Sequence, residues 1–127
     1  MLASRNSKGT SGLVEALREQ DCTLVSELPI GVDPGMQNRR GIVVAKMMPT
    51  SGLDPDYSYV LWDVSDWSDH PTKENRSRGV ELSRGSYRLS LVEAIGMANE
   101  RRMDLLTSYT WLIPGTDRLV PGCLGSR

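Results

Sequence analysis

The chain of 127 residues contains no phenylalanine, two cysteines and one histidine. The missing phenylalanine leaves three tryptophans, four tyrosines and six methionines to supply the large apolar groups, with methionine suited to irregular gaps. With two lone cysteines, Cys22 and Cys123, and no C-x-x-C pair, a disulfide framework or thiolate metal site is not expected, and both thiols are read as reduced. No run of about 18 apolar residues exists, so a membrane partner is not expected. The opening MLASRNSKGTSG lacks the apolar stretch of a secretory signal, and a cytoplasmic protein is the default expectation. Acidic and basic side chains nearly balance, 16 against 15, so no global field draws the protein to nucleic acid or an anionic membrane.

At this length one domain is expected, with a flexible tail over residues 1–10 and a single folded unit over 11–127. Hydrophobic residues make up 39% of the chain, enough to build a core. The segment GLVEALREQ sets Leu13, Val14 and Leu17 against Glu15, Arg18 and Glu19, the pattern of a short amphipathic helix. CTLVSEL is β-prone and is expected to stop at Pro29. RRGIVVAKMM and YSYVLWDV, separated by a turn at Ser51, Gly52, Asp54 and Pro55, predict a central antiparallel hairpin. Its second strand, starting near Tyr57, carries large apolar groups toward both faces.

A polar loop over residues 65–78 follows, and GVELSRGSYRL then reads as two short strands around a tight turn at Arg84-Gly85. Ser90 and Glu93 have the spacing of a capping box and predict a helix from there to about Met103, with Leu91, Val92, Ile95, Ala98 and Met103 as its buried stripe. Gly96, near that stripe, is expected to let the helix sit close to a sheet. LLTSYTWLI predicts a further strand, Pro114 to Asp117 a turn, and RLV a last strand. Grouped strands without βαβ alternation argue for an α+β fold: a curved, mostly antiparallel sheet with two helices, the longer one at about 90–103 packed on it.

The stretch VLWDVSDWSDH holds the residues of greatest chemical interest. Asp63, Asp66 and Asp69 could supply oxygen ligands to a hard cation if the backbone coiled tightly, but the glycine and distal glutamate of a calcium loop are missing. His70 could act as a general base oriented by one of these aspartates. No nucleophile elbow, phosphate-binding loop or zinc-protease motif accompanies it, so a hydrolase or metal enzyme here is a secondary reading, and no metal or cofactor is implied. Aspartate and serine at this spacing more simply cap turns where a strand exits into solvent.

Trp67 stands alone in that polar segment and either folds back over the sheet edge or presents a contact surface. Met97 poses the same question on the polar side of the second helix. Together they predict an oligomer, most simply a homodimer, or a protein or peptide partner. Arg76, Arg78, Arg84 and Arg88, close to Tyr87, offer a weaker alternative, an Arg/Tyr face for phosphates or nucleic acid.

The fragment RRGIVVAKMM…YSYVLWD resembles the paired central strands of small SH3-like or Tudor-like barrels, over about a quarter of the chain. That resemblance implies a partly open barrel that binds peptides or nucleic acids and transfers no site residue. The expectation is therefore a small non-catalytic binding or assembly module. Domains of this size without enzyme motifs are common in bacterial mobile elements such as phages and gene cassettes.

Overall fold

The structure, a computed structural model, describes residues 8–50, 52–112 and 119–120. Its elements run α1 (Lys8–Glu19), β1 (Cys22–Val32), β2 (Arg39–Met47), a 3-10 turn (Pro55–Tyr57), β3 (Tyr59–Asp66), α2 (Lys73–Arg76), β4 (Val80–Leu89), α3 (Leu91–Ser108), β5 (Trp111–Leu112) and β6 (Leu119–Val120). The six strands form one antiparallel sheet in the order β4-β3-β2-β1-β5-β6, curled into a half-barrel. The expected α+β class with a curved antiparallel sheet is what the chain adopts. No helix among the described residues is long and apolar enough to cross a membrane.

β1 to β4 form a meander, and α3 then carries the chain back over one face so that β5 joins β1 at Val32↔Leu112. The two inner strands are buried from both sides. Alternation divides them: Val43, Ala45, Val60, Trp62 and Val64 pack with Leu13 and Leu17 of α1, while Ile42, Val44 and Leu61 pack with Ala94 and Ala98 of α3. Removing a side chain such as Leu61 from water contributes about 2 kcal/mol, so these two layers dominate the stability of the sheet. Cys22 belongs to the α1 layer, where burial first and the neighbouring Asp21 charge second push its thiol pKa up. Cys123 lies outside the described residues.

Several expectations need correction. β1 does not stop at Pro29 but continues to Val32, with register shifts between Leu24 and Ser26 and between Pro29 and Gly31. A proline is tolerated there because β5 pairs β1 only at Val32, so no ladder partner on that side needs its missing N–H. Tyr57 is not the start of β3; it ends the 3-10 turn, whose N-cap Asp54 accepts from the Asp56 amide, and its ring is exposed. The four-residue α2, capped by Thr72, interrupts the predicted loop.

The predicted turn at Arg84-Gly85 is absent, and Val80–Leu89 is one strand. Pairing with β3 absorbs the local signals through two bulges, whose extra residues include Arg84 (φ 53°) and Arg88 (φ 58°) in left-handed conformation. Gly85 serves packing: a Cβ there would lie 2.7 Å from Trp62 Nε1 and 2.7 Å from Tyr87 Cε1. Its absence lets the Trp62 indole donate to Tyr87 Oη at 3.1 Å in an edge-on contact.

The capping box at the start of α3 is present as read: the Ser90 hydroxyl accepts from the Glu93 amide and the Glu93 carboxylate from the Ser90 amide. The helix runs further, to Ser108, and takes in residues expected to be strand, leaving Trp111–Leu112 as the strand itself. Its buried face is also rotated from the predicted stripe. Ala94 and Ala98 are its core positions, Leu105 packs beside them, and Leu91, Val92 and Met103 face solvent. The turn expected over residues 114–117 lies outside the described residues, while part of the RLV segment forms β6.

Candidate functional site

On β3, alternation turns Asp63 away from Trp62 and toward α3, the direction its place in the strand implies. The carboxylate is 1% exposed. Arg101, in the middle of the sheet-facing side of α3, donates to Asp63 Oδ1 at 3.0 Å, to the Arg84 carbonyl at 3.0 Å and to Ser86 Oγ at 3.4 Å. Arg84 reaches in from the bulge on β4, its Nη1 3.3 Å from Asp63 Oδ2 as an ion pair without hydrogen-bond alignment. Two guanidiniums thus converge on one buried carboxylate. A lone buried charge would cost several kcal/mol, and the pairing offsets that cost while locking α3 to the bulged edge strand.

The other two aspartates point elsewhere. Asp66 Oδ1 accepts from the Ser68 amide at 2.9 Å and its hydroxyl at 2.6 Å, and Asp69 pairs with Arg39 at 2.9 Å on the surface. His70 is buried, and its Nδ1 accepts from the Thr72 amide at 3.0 Å. An amide can only donate, so this ring nitrogen is occupied as an acceptor, and the ring acts as a turn brace. Asp63, Asp66, Asp69 and His70 therefore do not assemble into one centre. Among the described residues no three His, Cys, Asp or Glu side chains stand close enough to hold a metal ion.

Trp67 is covered by its own chain and is 3% exposed. The Arg78 guanidinium lies over its ring at 3.8 Å, the indole donates to Glu81 Oε1 at 2.9 Å, and Arg78 donates to both oxygens of that same carboxylate. Of its two readings, the fold-back over the sheet edge is the one observed, and the ring is not available as a contact surface. Met97 packs partly against the α3 core layer and lines a shallow groove with Met103, Glu100 and Asp104.

The arginine and tyrosine set is divided among separate settings. Arg76 donates to the carbonyls of His70 and Pro71, both at 2.9 Å, closing the loop on itself. Arg78 serves Trp67, Arg84 serves Asp63, and Tyr87 faces the opposite side of the sheet with Trp62. Arg88 does share a setting with Tyr87, a depression lined also by Met47, Thr50 and Leu53 and away from the other arginines. The bulges explain the division, because each breaks the even spacing that would have set Arg84 and Arg88 on one face.

Sequence reasoning missed Arg101. An arginine on an amphipathic helix reads as solvent-facing, and only the unpaired aspartate inside a doubly buried strand signals that a cation must meet it. Arg40 precedes the apolar run of β2 and stands opposite Ser65, with its Nε buried and without a hydrogen-bond partner among the described residues. Elsewhere Glu27, on β1, has its pKa raised by partial desolvation first and by the Asp66 charge second.

No protein-family model matches the chain, and neither a curated protein nor a solved structure does.

Proposed function

We propose that this protein is a non-catalytic assembly module that pairs with a second copy of itself through the outer face of α3. The helix turns Val92, Gly96, Asn99, Met103 and Thr107 away from the sheet, at helical spacing, and no charged residue interrupts that stripe. Val92 is 83% exposed and Met103 57% exposed, an unusual use of large apolar groups on a solvated helix.

Gly96 is the observation that carries the reading. A glycine inside a helix costs about 1 kcal/mol relative to alanine. A Cβ at Gly96 would meet nothing within 4 Å, so packing within the chain does not offset that cost. The expected close approach to the sheet is absent, and a helix from outside can use the space instead. In an antiparallel pairing about a twofold axis between Gly96 and Asn99, Val92 of one copy falls opposite Met103 of the other. Gly96 then lies at the crossing, where the axes approach most closely. Such an isologous contact sets no charge against a like charge within the stripe.

Light scattering on a size-exclusion column tests the reading, the expected mass being twice the 14.1 kDa of one chain. Val92→Glu should return it to the monomer with an unchanged circular dichroism spectrum, while Val25→Glu on β1 should leave the dimer intact. A wild-type protein that stays monomeric at about millimolar concentration, weaker than ordinary specific assemblies, removes the reading.

A further inference from the structure

We infer that the cavity between the C-terminal end of α3 and the β1–β2 connection is a binding site for a small carboxylate carrying an apolar or aromatic body. The cavity holds about 470 Å³, within the range of ligand pockets. Its walls divide into two kinds. Leu105, Tyr109 and Trp111 form an apolar side, and Arg40 and Arg84, facing them from β2 and β4, form a cationic one.

The cationic wall is built rather than incidental. Arg40 is largely buried, its Nε has no partner among the described residues, and its nearest carboxylate, Asp33, stands 4.0 Å away. Burying such a donor unpaired is costly unless something accepts from it. Arg84 adopts a left-handed backbone conformation at its bulge, a costly geometry for a residue other than glycine, and this directs its side chain across Asp63 toward the same space. The apolar wall is equally fixed, because the Trp111 indole donates to the Leu105 carbonyl at 3.0 Å and its ring packs edge-on to Tyr109.

The charge count selects the ligand. Arg40, Arg84 and Arg101 oppose Asp33 and Asp63, three positive groups against two negative, leaving one positive charge at the site. A monoanion balances it; a phosphate dianion overshoots and would also meet Asp33. A guanidinium fork fits the planar carboxylate in two-point contact. The carboxylate can belong to a free acid or to the C-terminus of a peptide with an apolar last residue.

Titration with phenylacetate, followed by nitrogen–proton correlation spectra of the Trp111 indole and the Arg40 Nε–H, tests the assignment. Saturable shifts of both signals are expected, with phenylacetamide and phenyl phosphate each weaker by at least about tenfold, the scale of one lost charge-assisted contact. Arg40→Gln should weaken phenylacetate by a similar factor and Arg40→Lys by less, whereas Arg88→Gln, in a separate depression, should leave it unchanged. A tetrapeptide ending in leucine, compared with its C-terminal amide, separates the two sources: tighter binding than phenylacetate points to a peptide terminus, and weaker binding to a free acid. Equal binding of phenylacetamide, tighter binding of phenyl phosphate, undiminished binding to Arg40→Gln, or no shift with phenylacetate overturns the proposal. The Val92→Glu monomer should bind phenylacetate as the wild type does, so failure of the assembly reading leaves this one standing.

Discussion

Asp63 and Arg101 lie 38 residues apart in the chain and meet in a 3.0 Å hydrogen bond beneath α3, with the carboxylate almost wholly withdrawn from water. One member comes from an inner strand buried on both faces and the other from the core-facing side of α3. The contact fixes which face of the helix turns inward, and thereby which residues are left outside.

Replacing Asp63 by alanine should therefore be among the most damaging single changes. It leaves Arg101, whose side chain is 15% exposed, without its carboxylate, and the expected loss is about 3 kcal/mol, the scale seen when one half of a buried pair is removed. The exposed Arg84 adds little to that figure. Urea unfolding monitored by circular dichroism measures it. The double variant Asp63→Leu with Arg101→Leu should recover most of the loss, because two apolar side chains replace the pair without an orphaned charge. A double variant no more stable than Asp63→Ala would show that the cost is not one of unpaired charge.

Gly85→Ala should separate Trp62 from Tyr87. The added methyl group would stand 2.7 Å from the indole nitrogen and 2.8 Å from the tyrosine oxygen, closer than packed atoms come. One of the rings must move, and because Tyr87 is half exposed and can swing aside, the expected cost is about 1 kcal/mol, the low end for overpacking. The near-ultraviolet circular dichroism of the aromatic groups should weaken while the far-ultraviolet spectrum holds. An unaltered near-ultraviolet signal with wild-type stability would mean the pair does not depend on the glycine.

Cys22 should resist alkylation in the native state. Burial and the Asp21 charge raise its thiol pKa, so at neutral pH the reactive thiolate is scarce, and its population grows only as pH rises above the ordinary cysteine range. Because the folded pKa lies above the unfolded one, the stability tied to the protonated thiol is present below the unfolded value and is lost as pH rises through the folded one. Mass-spectrometric labelling with iodoacetamide, mapped to Cys22, should be slow without denaturant and fast with it. Equal rates would contradict the burial described for this residue.

Local chemistry makes much of this fold legible in the sequence. The capping box of Ser90 and Glu93 depends only on residues within one helical turn and forms as read, and the apolar run from Ile42 to Ala45 admits little except an inner strand. Outcomes decided by distant partners are not legible in this way. Arg84-Gly85 carries a turn signal, yet pairing with β3 holds the segment extended and expels the misfit into bulges. Val92 and Met103 read as core by period alone, and the helix turns them outward because Arg101 has to reach Asp63. Leu105 to Thr107 favours strand by composition but stays helical, where Leu105 completes the layer beside Ala98. Asp66 braces a turn as its residue type implies, while the convergence of two arginines on Asp63 needs the fold.

Only Ser90 separates the last residue of β4 from the first of α3. With that single residue held at both its amide and its hydroxyl, the junction behaves as a welded corner rather than a hinge. Anything gripping the outer side of α3 would hold the bulged strand with it, so the angle between two joined copies would be inherited from the twist of each sheet.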